Sequence, residues 1–378
     1  MNWEEWGARL IADDGPTGTA ADAARGVLAG AAYLYDIGLE AYLMAERLGI
    51  RRRAHLPLPV ISIGNLTVGG TGKTPMTQAL CRALTEQGRR VAILSRGHGG
   101  RGIGARLVSN ADGRVLMTAA EAGDEPCLLA HTLPGVPVLV GKDRRETGRE
   151  ALRRFGLDAL VLDDGFQYWQ LARDLDIVLL DARRPWDNGC LLPRGLLREP
   201  KRHLARAGLV VVTRADALDG AGRLSLLAEI ARLAPYAEVF WASHAATGFV
   251  PVGSLGSPAL PLETLRGARV VALSGIAQPQ SFARTLREGV GVTIARHLVY
   301  SDHARYTQAD VNRANAAVLE EGADALIMTE KDAVKWPTPG CVINASPDIL
   351  IYALRISLEW EDRAGFLDAV TRRAFGRP

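Results

Sequence analysis

Short apolar runs recur along this chain, separated by stretches with helical spacing. From Leu56 onward, PVISIG, VAILS, VPVLVG, LDALVLD, LDIVLLD, LVVVT and AEVFWA each read as a buried strand. Between the first two lies KTPMTQALCRALTEQG, which places Met76, Leu80 and Leu84 on one helical face. Strands that are apolar almost throughout and alternate with helices predict a mostly parallel sheet covered on both faces. The texture changes in ATGFVPVGSLGSPALPLETL, which is rich in Gly, Pro and Ser. A second, smaller α/β set follows. It comprises VVALSG, VTIARHLVY, a helix opened by a Thr307–Asp310 capping box, DALIMTEKD and ILIYALRISLEW as strands, and a polar closing helix. This divides the chain into segments 1–50, 51–250 and 251–378.

The first segment has a different pattern. Residues 26–50, GVLAGAAYLYDIGLEAYLMAERLGI, place Arg25, Asp36, Glu40 and Arg47 on one side of a helix. Val27, Leu28, Leu34, Tyr35, Leu39, Tyr42 and Leu48 cover much of the rest. With Arg51, Arg52 and Arg53 after it, such a helix suits a membrane interface, or it packs on its own domain. It falls short of the roughly 20 uninterrupted apolar residues of a spanning helix. The opening MNWEEWGARLIADDG has neither a basic n-region nor an apolar h-region, so no signal peptide is expected.

Composition narrows the class. Of 378 residues, 48% are hydrophobic and 23% charged, which suits a globular protein with a core of more than one domain. A net charge of +3 is too small to argue for nucleic acid. Cys81, Cys127, Cys190 and Cys341 show no metal-ligand spacing and read as reduced, mostly core thiols.

The sharpest chemistry lies in ISIGNLTVGGTGKTP, where a strand runs into a glycine-rich turn and then a helix. In such a turn the backbone amides of Gly69, Gly70, Thr71 and Gly72 converge on a phosphate. Lys73 would reach the β- and γ-phosphates of ATP, and the Thr74 hydroxyl would ligate Mg²⁺. The first glycine of the usual spacing is replaced by Thr67, giving the variant GGTGKT. That form is similar to the loop of partition-type ATPases, but their extra lysine is Val68 here, which weighs against a dimeric switch. LDALVLDDGFQYW ends a strand in Asp163 and Asp164, which expects a magnesium site there. Asp181, ending LDIVLLDA, is the competitor.

GNLTVGGTGKTP, LSRGHGG, GDEP, DDGFQ, NGCLLPRGLLREP, SGIAQP and TEKDAVK follow one another in an order that resembles the tetraacyldisaccharide 4'-kinases of lipid A synthesis. The resemblance runs from about Tyr33 to Asp332. It implies a P-loop kinase that uses ATP and Mg²⁺ to phosphorylate the 4'-hydroxyl of lipid A disaccharide 1-phosphate. Its setting would be the cytoplasmic face of the bacterial inner membrane, with an N-terminal membrane-associated helix and no obligate protein partner. Carried over motif by motif, Asp124 of GDEP would be the base toward the sugar hydroxyl, working with His303. Arg96, Arg144, Asn188 and Glu199 would line the active site. Tyr168 stands where the family usually has histidine, Asp187 where it has glycine, and the DHH-type motif is reduced to DHA at 302–304. The rival functions are a P-loop NTPase switch acting on a protein partner and a soluble small-molecule kinase. TRAD (213–216) is similar to a switch protein's base-recognition motif, but with Arg214 in place of lysine.

Overall fold

A computed structural model describes residue 11, residues 17–337 and residues 349–376. The expectations for the opening residues and for Cys341 fall outside them. In chain order the elements begin with α1 (Thr19–Arg47), β1 (Val60–Asn65), α2 (Lys73–Glu86), β2 (Val91–Ser95) and β3 (Arg106–Ser109). Next come α3 (Ala119–Ala122), α4 (Asp124–Thr132), β4 (Val138–Val140), α5 (Arg144–Arg154), β5 (Ala159–Asp163) and β6 (Leu175–Asp181). Then follow β7 (Leu209–Thr213), α6 (Gly220–Leu233), β8 (Glu238–Pro251), β9 (Arg269–Ser274), α7 (Pro279–Arg284) and β10 (Thr293–Val299). The series closes with α8 (Gln308–Glu320), β11 (Ala325–Thr329), α9 (Glu330–Ala333), β12 (Leu350–Trp360) and α10 (Arg363–Phe375).

The chain forms two compact units, and neither is contiguous. One comprises Met1–Lys73, Asp164–Ser243 and Trp360–Pro378; the other comprises Thr74–Asp163 and His244–Glu359. The chain therefore passes between them four times, after Lys73, Asp163, Ser243 and Glu359.

In the first unit, β6 lies between β1 and β7 in parallel register, with Ile177 opposite Ile63 and Leu209. The start of β8 extends the set beside β7. Phe166, Leu66, Val178, Leu180, Val210 and Val212 form its core with Leu226 and Ile230 of α6. Alanine and leucine dominate α1, which has no proline and runs 29 residues. Its charged side faces the protein: Arg202 Nη2 donates to Asp36 Oδ1 at 2.7 Å and to Glu40 Oε1 at 2.8 Å, and Tyr35 donates to the Arg198 carbonyl at 2.8 Å. Val27, Tyr33, Leu34, Ile37, Met44 and Leu48 are left exposed. Among the described residues no helix is long and apolar enough to cross a membrane.

In the second unit, β2 lies between β5 and β4, all parallel, with β3 antiparallel on β4. Elsewhere in it β9 lies between β10 and β11, and β12 pairs with β11, again parallel. Alternation along β9 and β11 divides two cores. Val271, Leu273, Leu326 and Met328 face α8, while Val270, Ala272, Ala325 and Ile327 face Phe282 and Leu286. Both faces of these strands are thus covered, as their unbroken apolar runs require.

The mostly parallel α/β architecture agrees with the sequence expectation, and three local details differ. RLVS forms an antiparallel strand that the apolar pattern missed, being only four residues long. β8 continues through ATGFVP because Phe249 and Val250 are fully buried and hold the backbone extended. TEKD ends a strand and begins a helix, with Thr329 as cap: its hydroxyl accepts from the Asp332 amide.

Candidate active site

The phosphate-type loop lies between β1 and α2. Asn65, the last residue of β1 and fully buried, donates through Nδ2 to Thr71 Oγ1 at 3.0 Å and accepts from Lys73 Nζ at 3.2 Å. The loop needs glycine where φ is positive: Gly69 at 122° and Gly72 at 92°. A Cβ built on Gly69 or Gly70 would meet nothing within 4 Å, so the loop's surface is open enough for a ligand to approach its backbone. TRAD braces it from β7. Thr213 Oγ1 donates to the Thr71 carbonyl at 3.0 Å, and Arg214 Nη1 donates to the Gly70 carbonyl at 3.1 Å. Open amides, a lysine and a helix N-terminus form a donor set that fits a polyphosphate.

The two adjacent aspartates differ in environment. Asp163 is 2% exposed and accepts hydroxyl hydrogen bonds from Thr77 at 3.1 Å and Ser95 at 3.2 Å. Asp164 lies in the left-handed region with φ 51°, an uncommon conformation for a residue with a Cβ. Its carboxylate lies 3.5 Å from Lys73 Nζ and 2.9 Å from Arg198 Nη1. Burial alone would raise this acid, but the two cations outweigh it and hold Asp164 below the ordinary carboxylate range. The competitor Asp181 pairs with Arg183 at 3.0 Å and Arg214 at 2.6 Å, tying it to the brace.

In the second unit GDEP and SRGHGG interlock through glycine. A Cβ on Gly123 would come within 2.4 Å of the His98 carbonyl, and one on Gly100 within 2.5 Å of the Glu121 carbonyl. This close backbone approach sets Asp124 as the first residue of α4. Asp124 Oδ2 lies 3.0 Å from His303 Nδ1 and 3.5 Å from Lys335 Nζ. His303 has φ 59°, its amide donates to Asp302 Oδ1 at 3.0 Å, and its ring meets that of His98 edge-on at 6.2 Å. The His303 side chain is half exposed, whereas Asp124 is largely covered.

The remaining predicted residues belong to separate elements of the two units. Arg96 is exposed just after β2. Arg144 opens α5, is 5% exposed, and donates to the Lys142 carbonyl at 3.1 Å. Asn188 donates to the carbonyls of Ile11 and Arg194 and accepts from the Cys190 amide. Glu199, 1% exposed, pairs with His203 and Arg206, and Arg206 spans the rings of Phe166 and Trp169. Thr74 is the second residue of α2, half-buried. Motif reading gave no individual role to Asn65, Arg198, Arg214 or Lys335, although each lies within or beside a quoted motif.

Comparison with known proteins places this chain in a family. The sequence profile described as LpxK, tetraacyldisaccharide-1-P 4'-kinase, matches residues 24–374. A tetraacyldisaccharide 4'-kinase of Anaeromyxobacter dehalogenans (strain 2CP-1 / ATCC BAA-258) is 48% identical over 333 residues, covering 87% of this chain and 81% of the relative. That of Geobacter sulfurreducens is 43% identical over 336 residues, covering 86% and 88%. The crystal structure of LpxK from Aquifex aeolicus in complex with ATP matches with a TM-score of 0.74 at 28% identity, over 93% of this chain and 99% of that one. With a profile spanning nearly its whole length, this chain belongs to the tetraacyldisaccharide 4'-kinase family.

Proposed function

We propose that this chain transfers the γ-phosphoryl group of ATP to the 4'-hydroxyl of the tetraacyldisaccharide 1-phosphate precursor of lipid A. The observation that carries the reading is the Asp124–His303 pair, brought to 3.0 Å in a chain that also holds an open, lysine-bearing phosphate loop. A phosphate loop alone suits a switch equally well; a carboxylate–imidazole pair is what a sugar alcohol needs as acceptor.

On the donor side, the amides of Gly69 to Gly72 and the Lys73 ammonium would bind the β- and γ-phosphates. Thr74, Asp163 and Asp164 are the candidates to hold Mg²⁺, which when bound neutralises charge on the transferring group. Asp164 pairs with Lys73 and Arg198, which keep its carboxylate in the ionised form that a cation binds. On the acceptor side, the Asp124 carboxylate would take the proton of the sugar hydroxyl as its oxygen bonds to the γ-phosphorus. The bond from that phosphorus to the β,γ-bridging oxygen breaks, and ADP leaves. His303 would hold Asp124 in place and share the proton. Arg96, Arg144, Asn188 and Glu199 are proposed to support the site's lining. Segments 51–250 and 251–378 are proposed to carry the donor loop and His303, respectively.

The acceptor carries four acyl chains and stays in a bilayer, so the enzyme must work at an interface. α1 supports this by turning its charged side to the protein and its apolar side outward, with Arg51, Arg52 and Arg53 exposed beyond it. The cytoplasmic face of the inner membrane follows from the supply of ATP.

The test is incubation of the purified chain with radiolabelled ATP and lipid A disaccharide 1-phosphate in mixed micelles. Label in the glycolipid at the 4'-position supports the reading. ATP hydrolysis without glycolipid labelling, or full activity on a water-soluble sugar, overturns it.

A further inference from the structure

Lys335, the last residue of the TEKDAVK motif, has a buried cationic group with no catalytic role assigned to it. Its side chain is 6% exposed, and its ammonium makes no hydrogen bond among the described residues. It lies 3.4 Å from Asp332 Oδ1 and 3.5 Å from Asp124 Oδ2, and 5.5 Å from the centre of the Tyr306 ring. An ammonium has three donors, and both carboxylates lie just beyond ordinary hydrogen-bond distance.

Asp332 is the fixed side of this arrangement. It is fully buried and accepts from the Gly275 amide at 3.0 Å, Thr329 Oγ1 at 2.6 Å and the Tyr306 hydroxyl at 2.9 Å. Three donors thus hold it in place, and burial followed by the Asp332 charge keeps the Tyr306 phenol protonated as a donor. Lys335 therefore bridges this fixed carboxylate and Asp124. One turn earlier, Lys331 donates to Asp302 Oδ1 at 3.1 Å and lies 3.5 Å from His303 Nε2. The motif thus presents one lysine to each member of the Asp124–His303 pair.

We infer that Lys335 is a positioning residue for Asp124: with His303 it holds Oδ2, so that Oδ1 is the atom presented to the acceptor hydroxyl. The contacts to His303 Nδ1 and Lys335 Nζ both use Oδ2. The inference rests on the kinase reading above and adds to it a role for TEKDAVK.

The experiment compares Lys335→Met and Lys335→Arg in the full chain, each also in an Asp124→Asn background, with glycolipid phosphorylation as the assay. Lys335→Met is expected to lower kcat by roughly tenfold to a hundredfold, as displacement of a reacting group does, with KM for ATP unchanged. Lys335→Arg recovers most of that loss, and in the Asp124→Asn background Lys335→Met causes no further loss. Should Lys335→Met fail to fold, Lys335→Gln is compared with Lys335→Arg in the same way. Equal losses in both backgrounds, or a Lys335→Met enzyme as fast as the parent, overturn the inference. A parent enzyme that leaves the glycolipid unlabelled overturns the kinase reading, and this inference with it.

Discussion

Glu40 Oε1 lies 2.8 Å from His203 Nε2, a contact that fastens α1 to the segment carrying Arg198 and Glu199. The other imidazole nitrogen lies 2.8 Å from Glu199, so one ring joins a helix with an exposed apolar side to a buried carboxylate. Burial alone would raise the Glu40 carboxyl, but hydrogen bonds from Arg202 and His203 outweigh it and hold the group below its ordinary value. An acid depressed in the folded state stabilises above its unfolded value, near about 4.3, and loses that contribution as pH falls through the folded value. Protection of the Thr19–Arg47 amides against exchange should therefore fall selectively below about pH 4, and Arg202→Ala should produce the same loosening at neutral pH. A helix equally protected at both pH values, and in the variant, would refute the fastening role.

Asp124→Asn keeps the shape of the side chain and removes its capacity to take a proton. Turnover should fall by about 10² to 10⁴ while ATP affinity, measured by calorimetry, stays the same. Unchanged turnover removes Asp124 from the chemistry.

Lys73→Ala removes one of two cations from Asp164 and the only side-chain ammonium of the phosphate loop. ATP affinity, measured by calorimetry, should fall by at least tenfold. Retained ATP affinity would mean that the loop is not the donor site.

The exposed side of α1 predicts vesicle binding. Leu34→Glu together with Ile37→Glu places charge where Leu34 is 69% and Ile37 49% exposed, so folding should be unaffected. Cosedimentation with anionic phospholipid vesicles should drop severalfold in this variant; equal recovery would show that the apolar side does not meet lipid.

Behind the phosphate loop, β1 passes close to the backbone that follows the two aspartates. A Cβ on Gly64 would lie 2.5 Å from Phe166 Cβ and 2.8 Å from its amide nitrogen, and Phe166 is fully buried. Gly64→Ala should therefore destabilise by about 1–3 kcal/mol, an overpacking cost, seen as a lower thermal midpoint. An unchanged midpoint would show that β1 can shift without cost.

Much of this architecture was legible because buried parallel strands have unbroken apolar runs, as LDIVLLD and LVVVT do. The phosphate loop was equally plain, since its chemistry is local. What escaped depends on distance along the chain. Asp124 and His303 are 179 positions apart, and only the family resemblance, not periodicity, paired them. Nor does spacing along the chain show that the second lysine of TEKDAVK, Lys335, lies 3.5 Å from Asp124. One missed element did carry a local signal: T-E-K-D has the Thr-x-x-Asp spacing of a helix cap, yet its apolar approach, DALIM, made it read as the end of a strand. β8 was shortened because Gly and Pro in ATGFVP suggested a loop, although burial of Phe249 and Val250 keeps it extended.

The interleaved path of the chain constrains its biosynthesis. Trp360 stacks on Phe366 at 4.4 Å, Phe366 meets Phe240 at 5.5 Å, and Arg372 and Arg373 clamp Glu238, so the first unit is sealed by α10. A ribosome delivers that seal only after all of the second unit has emerged, so the two halves cannot mature in the order they are translated. The strands made first therefore lack that seal until α10 is translated, and cutting the gene at the first two crossings would part Lys73 from Thr74 or Asp163 from Asp164.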